Sequence, residues 1–133
     1  MLLGAKDPDP AVRRELATSL RDVPIEQARE HIVELAKGYD GVDRTYLDAL
    51  GIACTKKETL SYNAIGRAIG DPEPAKWTTA FSNIVWRLHP EKSAPMLATR
   101  AMAAGVSEAQ RKAAVVALAF ISTKAGADTM LTL

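Results

Sequence analysis

Apolar residues recur along this chain at helical spacing, and the clearest example lies within residues 7 to 20. Asp9 can cap a helix through its carboxylate, and Pro10 suits the first helical position. One face of this helix, at 3.6 residues per turn, carries Val12, Leu16 and Leu20. We therefore predict a helix over about residues 10 to 20, and we expect Arg13 and Arg14 to lie on its flank or in solvent.

The same periodicity predicts further helices in chain order. The second begins after Pro24, and its apolar stripe consists of Ile25, Ala28, Ile32, Leu35, Ala36 and Tyr39. The third helix is expected over residues 43 to 53, the fourth after a capping box from Thr55 to Glu58, and the fifth over residues 77 to 88. The sixth is expected over residues 93 to 105, the seventh after a second capping box from Ser107 to Gln110, and the eighth from near Thr123. Residues 71 to 74 contain two prolines, cannot continue a helix and form a linker.

We expect the apolar positions of these later helices to be buried: Tyr46, Leu47 and Leu50; Leu60, Ala64, Ile65, Ala68 and Ile69; Trp77, Phe81, Ile84, Val85 and Leu88; and Leu97, Ala101 and Ala104. Trp77 and Trp86 are nine residues apart, which places them on opposite faces of one helix. Trp77 shares the apolar face and belongs to the core. Trp86 points elsewhere, either onto an adjoining repeat or toward a partner as an aromatic anchor.

Composition supports one all-α domain over residues 1 to 133. Aromatic residues make up only 5% of the chain, and alanine and leucine are frequent, which favours close packing of helices over a sheet. The 17 basic and 16 acidic residues nearly cancel, so no overall field would attract nucleic acid or an anionic membrane. Cys54 is the single cysteine, so no internal disulfide can form, and we expect it to be a buried small hydrophobe.

The helical pattern repeats with a period that indicates stacked units. The basic residues Arg13, Arg44, Lys76 and Arg111 are separated by about 31 to 35 positions, and a second helical pattern lies within each interval. Residues 7 to 20 and 108 to 120 resemble HEAT repeats, whose first helix opens with Asp-Pro, then Val-Arg, then Ala and Leu at helical spacing. The resemblance implies a right-handed α-α superhelix of seven to eight helices.

Residues 35 to 53 permit a narrower comparison. This segment is similar to one in large secreted bacterial proteins that combine a sugar-dehydrogenase-like propeller, HEAT repeats and a c-type haem domain, and the similarity extends over residues 9 to 54. It implies that the chain is the helical middle segment of a periplasmic or exported parent. The haem attachment pattern Cys-x-x-Cys-His and any propeller strand pattern are absent, so neither activity carries over.

Candidate reactive residues each have a simpler structural interpretation. His31 and Glu34 could share a metal or a proton at their i, i+3 spacing, but a solvated helix flank is the preferred interpretation. Residues 40 to 43 superficially suggest a calcium loop, yet they lack the distal glutamate and are interpreted as a turn with a helix cap. We expect no cofactor, no metal and no catalytic residue. The candidate partner-binding residues are Trp86, Arg14 and Arg44.

The sequence therefore predicts a non-catalytic helical-repeat scaffold that binds another protein or a neighbouring domain. The alternative is a HEAT-like nucleic-acid-binding protein or DNA alkylation glycosylase, a class that also places tryptophans and basic residues around helical repeats. Residues 1 to 5 and 123 to 133 resemble interrupted repeats, so the chain is expected to be a piece of a longer array. Its exposed apolar ends, with Met130, Leu131 and Leu133, are expected to cause self-association.

Overall fold

The computed structural model describes the backbone of residues 2 to 132 and the side-chain surroundings of residues 4 to 121. Over this range the chain is all-helical, without a β-strand, which confirms the all-α part of the predicted fold class. The helices are α1 (Leu2–Ala5), α2 (Pro10–Ser19), α3 (Ile25–Lys37), α4 (Arg44–Ala53), α5 (Glu58–Ile69), α6 (Thr79–Leu88), α7 (Ala94–Met102) and α8 (Glu108–Thr132). Two short 3₁₀ turns, Pro74–Lys76 and Glu91–Ser93, precede α6 and α7.

Contacts between helices run mainly from each helix to the second one after it. Helix α2 packs on α4, α4 on α6, and α6 on α8, so these four form one continuous row. Helices α1, α3 and α5 pack in the same order and form a second row, while α7 packs on α8 and on the turn Pro74–Lys76. The core lies between the rows, and most of its buried side chains come from α3, α4 and α6.

Helix α3 shows why the apolar pattern predicts the core well. All six residues of its predicted stripe are buried: Ile25, Ala28, Ile32, Leu35, Ala36 and Tyr39. The helix begins directly after Pro24, whose ring restrains the entering backbone, and ends at Gly38. At α2, the predicted cap is also present, because the Asp9 carboxylate accepts a hydrogen bond from Ala11 N at 2.9 Å.

The start of α5 differs from the prediction. Thr55 does not cap the helix; the residue before its first turn is Lys57, which provides no side-chain cap. Leu60 is 49% exposed and Ala68 is also exposed, whereas Ser61 and Ile65 are fully buried. The helix therefore begins later and is rotated relative to the predicted face, because the chain after α4 makes an extra turn at Lys56, where φ is 63°.

Trp77 is buried as predicted, but it precedes α6 and is not part of it. Thr78 caps α6 by accepting from Phe81 N at 3.1 Å, so the helix starts two residues after Trp77. The indole of Trp77 donates to the carbonyl oxygen of Asp71 at 2.9 Å and meets the Phe81 ring edge-on. The predicted linker thus folds back as a loop that holds Trp77 in place, and the helical-wheel argument relating it to Trp86 was wrong.

Arg13 is not a solvated flank residue, contrary to the expectation for the Arg13–Arg14 pair. Its guanidinium lies 5.4 Å from the centroid of the Tyr46 ring and donates to the Tyr46 hydroxyl at 3.3 Å. It also donates to the carbonyl oxygens of Asp7 and Gly38. Tyr46 in turn donates to the carbonyl oxygen of Leu35 at 2.6 Å. This network joins α2, α3 and α4.

The C-terminal part of the described backbone is one helix. Helix α8 continues through residue 123 to Thr132, so the separate eighth helix predicted to start near Thr123 was wrong. The second predicted capping box is half present: Ser107 Oγ accepts from Gln110 N at 3.2 Å, but the Gln110 side chain bonds Arg100. The self-association expected from Met130, Leu131 and Leu133 concerns side chains outside the described residues.

Candidate partner-binding surface

The three candidate residues lie on three successive helices of the continuous row. Arg14 is on α2, Arg44 is the first residue of α4, and Trp86 is on α6. Arg14 Nη1 lies 3.5 Å from Asp43 Oδ2, and the Arg44 guanidinium lies 5.5 Å from the centroid of the Trp86 ring. The structure therefore brings the candidates together into one surface, which we call the Arg–Trp surface: Arg14, Val42, Arg44, Asn83 and Trp86.

The loop before α4 positions this surface. The carboxylate of Asp40 accepts hydrogen bonds from the backbone N–H groups of Val42 and Asp43, each at 2.8 Å, and these bonds hold the pKa of Asp40 below its ordinary value. Asp43 caps α4 by accepting from Tyr46 N at 3.0 Å. The predicted turn and helix cap are thus both present.

Gly41 supplies the conformation that this turn requires. Its φ is 84°, in the left-handed region that glycine adopts without a steric penalty. The next residue, Val42, is consequently turned outward and is 83% exposed. Asn83 on α6 secures the loop from the other side, since its amide donates to Gly41 O at 3.0 Å and to the Tyr39 hydroxyl at 3.3 Å.

A hollow of about 310 Å³ opens beside the Arg44–Trp86 pair. Its lining is largely apolar with a few polar groups at the edge, and consists of Tyr39, Val42, Arg44, Leu47, Asn83, Trp86 and Ala113. Tyr39 stacks on Tyr46 with ring centroids 5.9 Å apart, and burial raises the pKa of Tyr39. An apolar hollow with a few convergent polar groups is the usual form of a site that accepts a side chain or small ligand.

The charges of this surface are unequally neutralised. Arg14 is paired with Asp43, and Arg87, farther along α6, lies 3.5 Å from Asp48. Arg44 has no carboxylate within ion-pair distance among the described side chains. Its cation rests on the face of Trp86, a contact that orients the guanidinium without neutralising it. The surface therefore offers one oriented cation, one partly buried indole and one exposed valine to a partner.

Two of these residues were not among the predicted site residues. Asn83 lies in the middle of α6, and nothing in its spacing distinguishes it from a solvated helix position. Val42 had a usable signal, because an Asp-Gly pair before a helix cap predicts a tight turn that exposes the following residue.

The other sequence candidates do not form a site. His31 is 7% exposed, so it is buried and not on a solvated flank, and neither ring nitrogen has a hydrogen-bond partner among the described residues. Glu34 instead pairs with Lys37 at 3.2 Å. Cys54 is fully buried as expected, and burial raises the pKa of its thiol to about 11.

Comparison of the chain with protein-family models, with curated proteins and with solved structures found no match. Within the described part of the chain, no cluster of three or more His, Cys, Asp or Glu side chains has the geometry to hold a metal ion. None of the helices described is both long and apolar enough to span a membrane.

Proposed function

We propose that this chain is a non-catalytic scaffold, a right-handed α-solenoid of HEAT-like repeats within a larger protein, that binds another protein or a neighbouring domain. The contact pattern supports the solenoid, because α2, α4, α6 and α8 pack in succession, as the equivalent helices of stacked repeats do. Successive helices of such a row present a continuous surface to a partner.

The observation that carries the binding proposal is the Arg44 guanidinium, stacked on Trp86 without an acidic partner among the described residues and adjacent to the exposed Val42. Arginine and tryptophan are the residues that most often contribute strongly to protein interfaces. The hollow beside them can receive an apolar side chain, and Arg44 can receive a carboxylate from the same partner. The proposed partner is therefore an acidic segment with an apolar anchor.

The nucleic-acid alternative requires a denser positive surface than the one present. Arg14 is neutralised by Asp43, and the chain as a whole carries a formal net charge of +1. Neutralising several phosphates needs several unpaired cations close together. A protein or neighbouring domain is thus the better proposal for the occupant of the Arg–Trp surface.

A peptide selection against the whole chain tests this proposal. We expect enriched peptides to combine Asp or Glu with an aromatic or aliphatic residue, and their affinity to fall at least about 10-fold in Arg44→Glu and in Trp86→Ala. Arg67→Glu, a charge reversal at an exposed position of α5, is the matched control and should leave the affinity within about 2-fold.

Two results would count against the proposal. Peptides that bind both surface variants as tightly as the unaltered chain would show that the Arg–Trp surface is not the site. Submicromolar binding of duplex DNA that weakens steeply between 50 mM and 200 mM salt would favour the nucleic-acid alternative instead.

A further inference from the structure

A second hollow, of about 370 Å³, lies against α5, and no residue lines both it and the hollow beside Arg44. On α5 its lining consists of two pairs of positions one helical turn apart, Tyr62 with Gly66 and Asn63 with Arg67. Positions four apart on a helix face the same way, with Cβ atoms about 5 to 6 Å apart, so these four form one continuous wall. The volume lies in the range of about 300 to 1,000 Å³ that is usual for sites of small ligands.

Aromatic side chains form the floor of this hollow. The Phe81 ring stacks on Tyr62 with ring centroids 6.3 Å apart and meets the Trp77 ring edge-on at 5.0 Å. Met96, which is 37% exposed, lines the same hollow from α7. Aromatic rings and thioethers both make favourable contacts with a flat ring. The apolar part of the lining therefore favours a ligand that contains an aromatic ring.

The rim of the hollow carries two cations that are free to bind an anion. Arg67 on α5 and Lys92 before α7 are both exposed, and neither has a carboxylate within ion-pair distance among the described side chains. The lining contains one carboxylate, that of Asp71, and its Oδ1 accepts a hydrogen bond from Glu73 N at 2.8 Å. The amide of Asn63 adds a further donor. The charged part of the lining therefore favours an anionic group.

Gly66 keeps this hollow open. It lies within α5, where glycine is less favourable than alanine. Packing does not require glycine there, because an added Cβ would meet Phe81 Cζ at 3.8 Å, an ordinary contact. Gly70, in contrast, cannot accept a Cβ, which would lie 2.7 Å from Gly66 O. The feature that a larger side chain at Gly66 would remove is thus the open space beside the aromatic floor.

We infer that this hollow binds a small free molecule with an aromatic ring and one carboxylate or sulfonate group. The aromatic floor receives the ring, the Arg67 guanidinium binds the anionic group, and Lys92 adds positive charge. A cationic ligand fits less well, because the rim cations repel it and Arg100 already lies over the Trp77 ring, 5.7 Å from its centroid. This site goes beyond the proposed scaffold function and does not depend on it.

Two dyes, 1-anilinonaphthalene-8-sulfonate and N-phenyl-1-naphthylamine, test the inference, because they share the same rings and only the first carries an anionic group. In fluorescence titrations of the whole chain, we expect saturable binding of the sulfonate at one site. Its Kd should be at least about 10-fold lower than that of the neutral amine. The difference should shrink as the salt concentration is raised, since the two rim cations are exposed.

Two variants at Gly66 test whether the dye occupies the hollow. Gly66→Leu should raise the Kd of the sulfonate at least about 10-fold, because the new side chain fills space that the ring needs. Gly66→Ala is the folding control. Its added methyl group makes an ordinary contact and favours the helix, so Tm should rise by about 2 to 4 °C.

Charge reversals test the anionic group separately from folding, since they change exposed residues. Arg67→Glu should raise the Kd of the sulfonate at least about 10-fold and leave that of the neutral amine within about 2-fold. Arg29→Glu, the same change at an exposed position of α3 that lines neither hollow, is the matched control and should alter neither Kd. Arg44→Glu should also leave dye binding unchanged, so failure of this inference and failure of the proposed function are distinguishable.

Three results would overturn the inference. Absence of saturable binding of the sulfonate up to about 1 mM, or equal Kd values for both dyes, would show that the hollow does not select aromatic anions. Unchanged binding in both Gly66→Leu and Arg67→Glu would place the dye elsewhere. A loss of binding in Arg44→Glu but not in Arg67→Glu would place it at the Arg–Trp surface.

Discussion

Lys57 should be one of the most important surface residues for stability, because its ammonium group joins the ends of two helices. Nζ donates to the carbonyl oxygens of Leu20, at 3.1 Å, and Arg21, at 2.9 Å, just after α2, and to that of Ala53, at 2.7 Å, in the last turn of α4. Carbonyls at helix C-termini lack intrahelical partners and carry partial negative charge. Replacing Lys57 by Met removes the ammonium group and keeps a side chain of similar length.

The expected loss follows from how well each carbonyl is satisfied without Lys57. The bond to Arg21 is exposed, so water can replace it at little cost. Leu20 O keeps a second donor, Val23 N, at 3.0 Å. Ala53 O, in contrast, loses a part-buried bond to a charged donor, the kind that contributes about 1.5 to 3 kcal/mol. We expect Lys57→Met to lower the free energy of unfolding by about 2 kcal/mol in total.

Urea denaturation followed by tryptophan fluorescence measures this loss as a shift in the midpoint at constant m-value. Lys56→Met is the matched control. It makes the same chemical change at the neighbouring, exposed residue, and it should alter the free energy of unfolding by less than about 0.5 kcal/mol. A loss below about 0.5 kcal/mol for Lys57→Met, or an equal loss in both variants, would refute the proposed role of the ammonium group.

Three further predictions concern the core and the backbone. Leu50→Ala should lower the free energy of unfolding by about 2 to 5 kcal/mol, because Leu50 is 1% exposed. Leu60→Ala should change it by less than about 0.5 kcal/mol, because Leu60 on α5 is 49% exposed. Equal losses in urea denaturation would mean that the buried face of α5 is misassigned. Lys56→Gly should raise Tm, since φ at Lys56 is 63° and glycine avoids a cost of about 1 kcal/mol there; a lower Tm on calorimetry would contradict this. Burial raises the pKa of Cys54 from 9.0 to about 11, so the thiol loses its proton at lower pH in the unfolded state than in the folded state, and the free energy of unfolding should fall between pH 9 and 11. Cys54→Ala should remove that part of the pH dependence of the urea midpoint. An unchanged pH dependence in the variant would refute the prediction.

The elements that were predictable from the sequence are those with a strong apolar period and an unambiguous start. Helix α3 is the best example: its stripe is continuous, Pro24 precedes it, and every predicted core position is buried. Asp9 before Pro10 predicted the start of α2 for the same reason. For α3 the local rule and the burial pattern agree. For α2 only the start was predicted correctly, because Val12 of the predicted apolar face is 39% exposed and the buried residue within the helix is Ala17.

The start of α5 shows how such local rules fail. Thr55 and Glu58 satisfy the spacing of a capping box, but the chain forms a turn there and the helix begins only at Glu58. A shift in the starting point also rotates the buried face, which is why Leu60 is exposed and Ser61 is buried. The turn forms at Lys56, and the next residue, Lys57, donates to the carbonyl oxygens of Leu20, just after α2, and of Ala53 in α4. Contacts between residues 36 or 37 positions apart leave no signal in a local pattern.

Most of the contacts that the sequence pattern did not predict are made by long basic side chains. Arg13, Arg44, Lys57 and Arg100 each occupy a position whose neighbours in sequence suggest a helix flank, yet none is simply solvated. Each side chain has an apolar stem and a charged end, so it can pack along a neighbouring helix while its donors reach backbone oxygens or an aromatic face. Which oxygens or rings it reaches depends on how successive helices stack, and not on its own helical period. Arg100 is the extreme case, because its partners are supplied by two separate segments, residues 74 to 77 and the first turn of α8. A guanidinium enclosed in this way can gain a carboxylate partner only if one of those segments moves, so its contacts are determined by the packing of the helices and not by the local sequence.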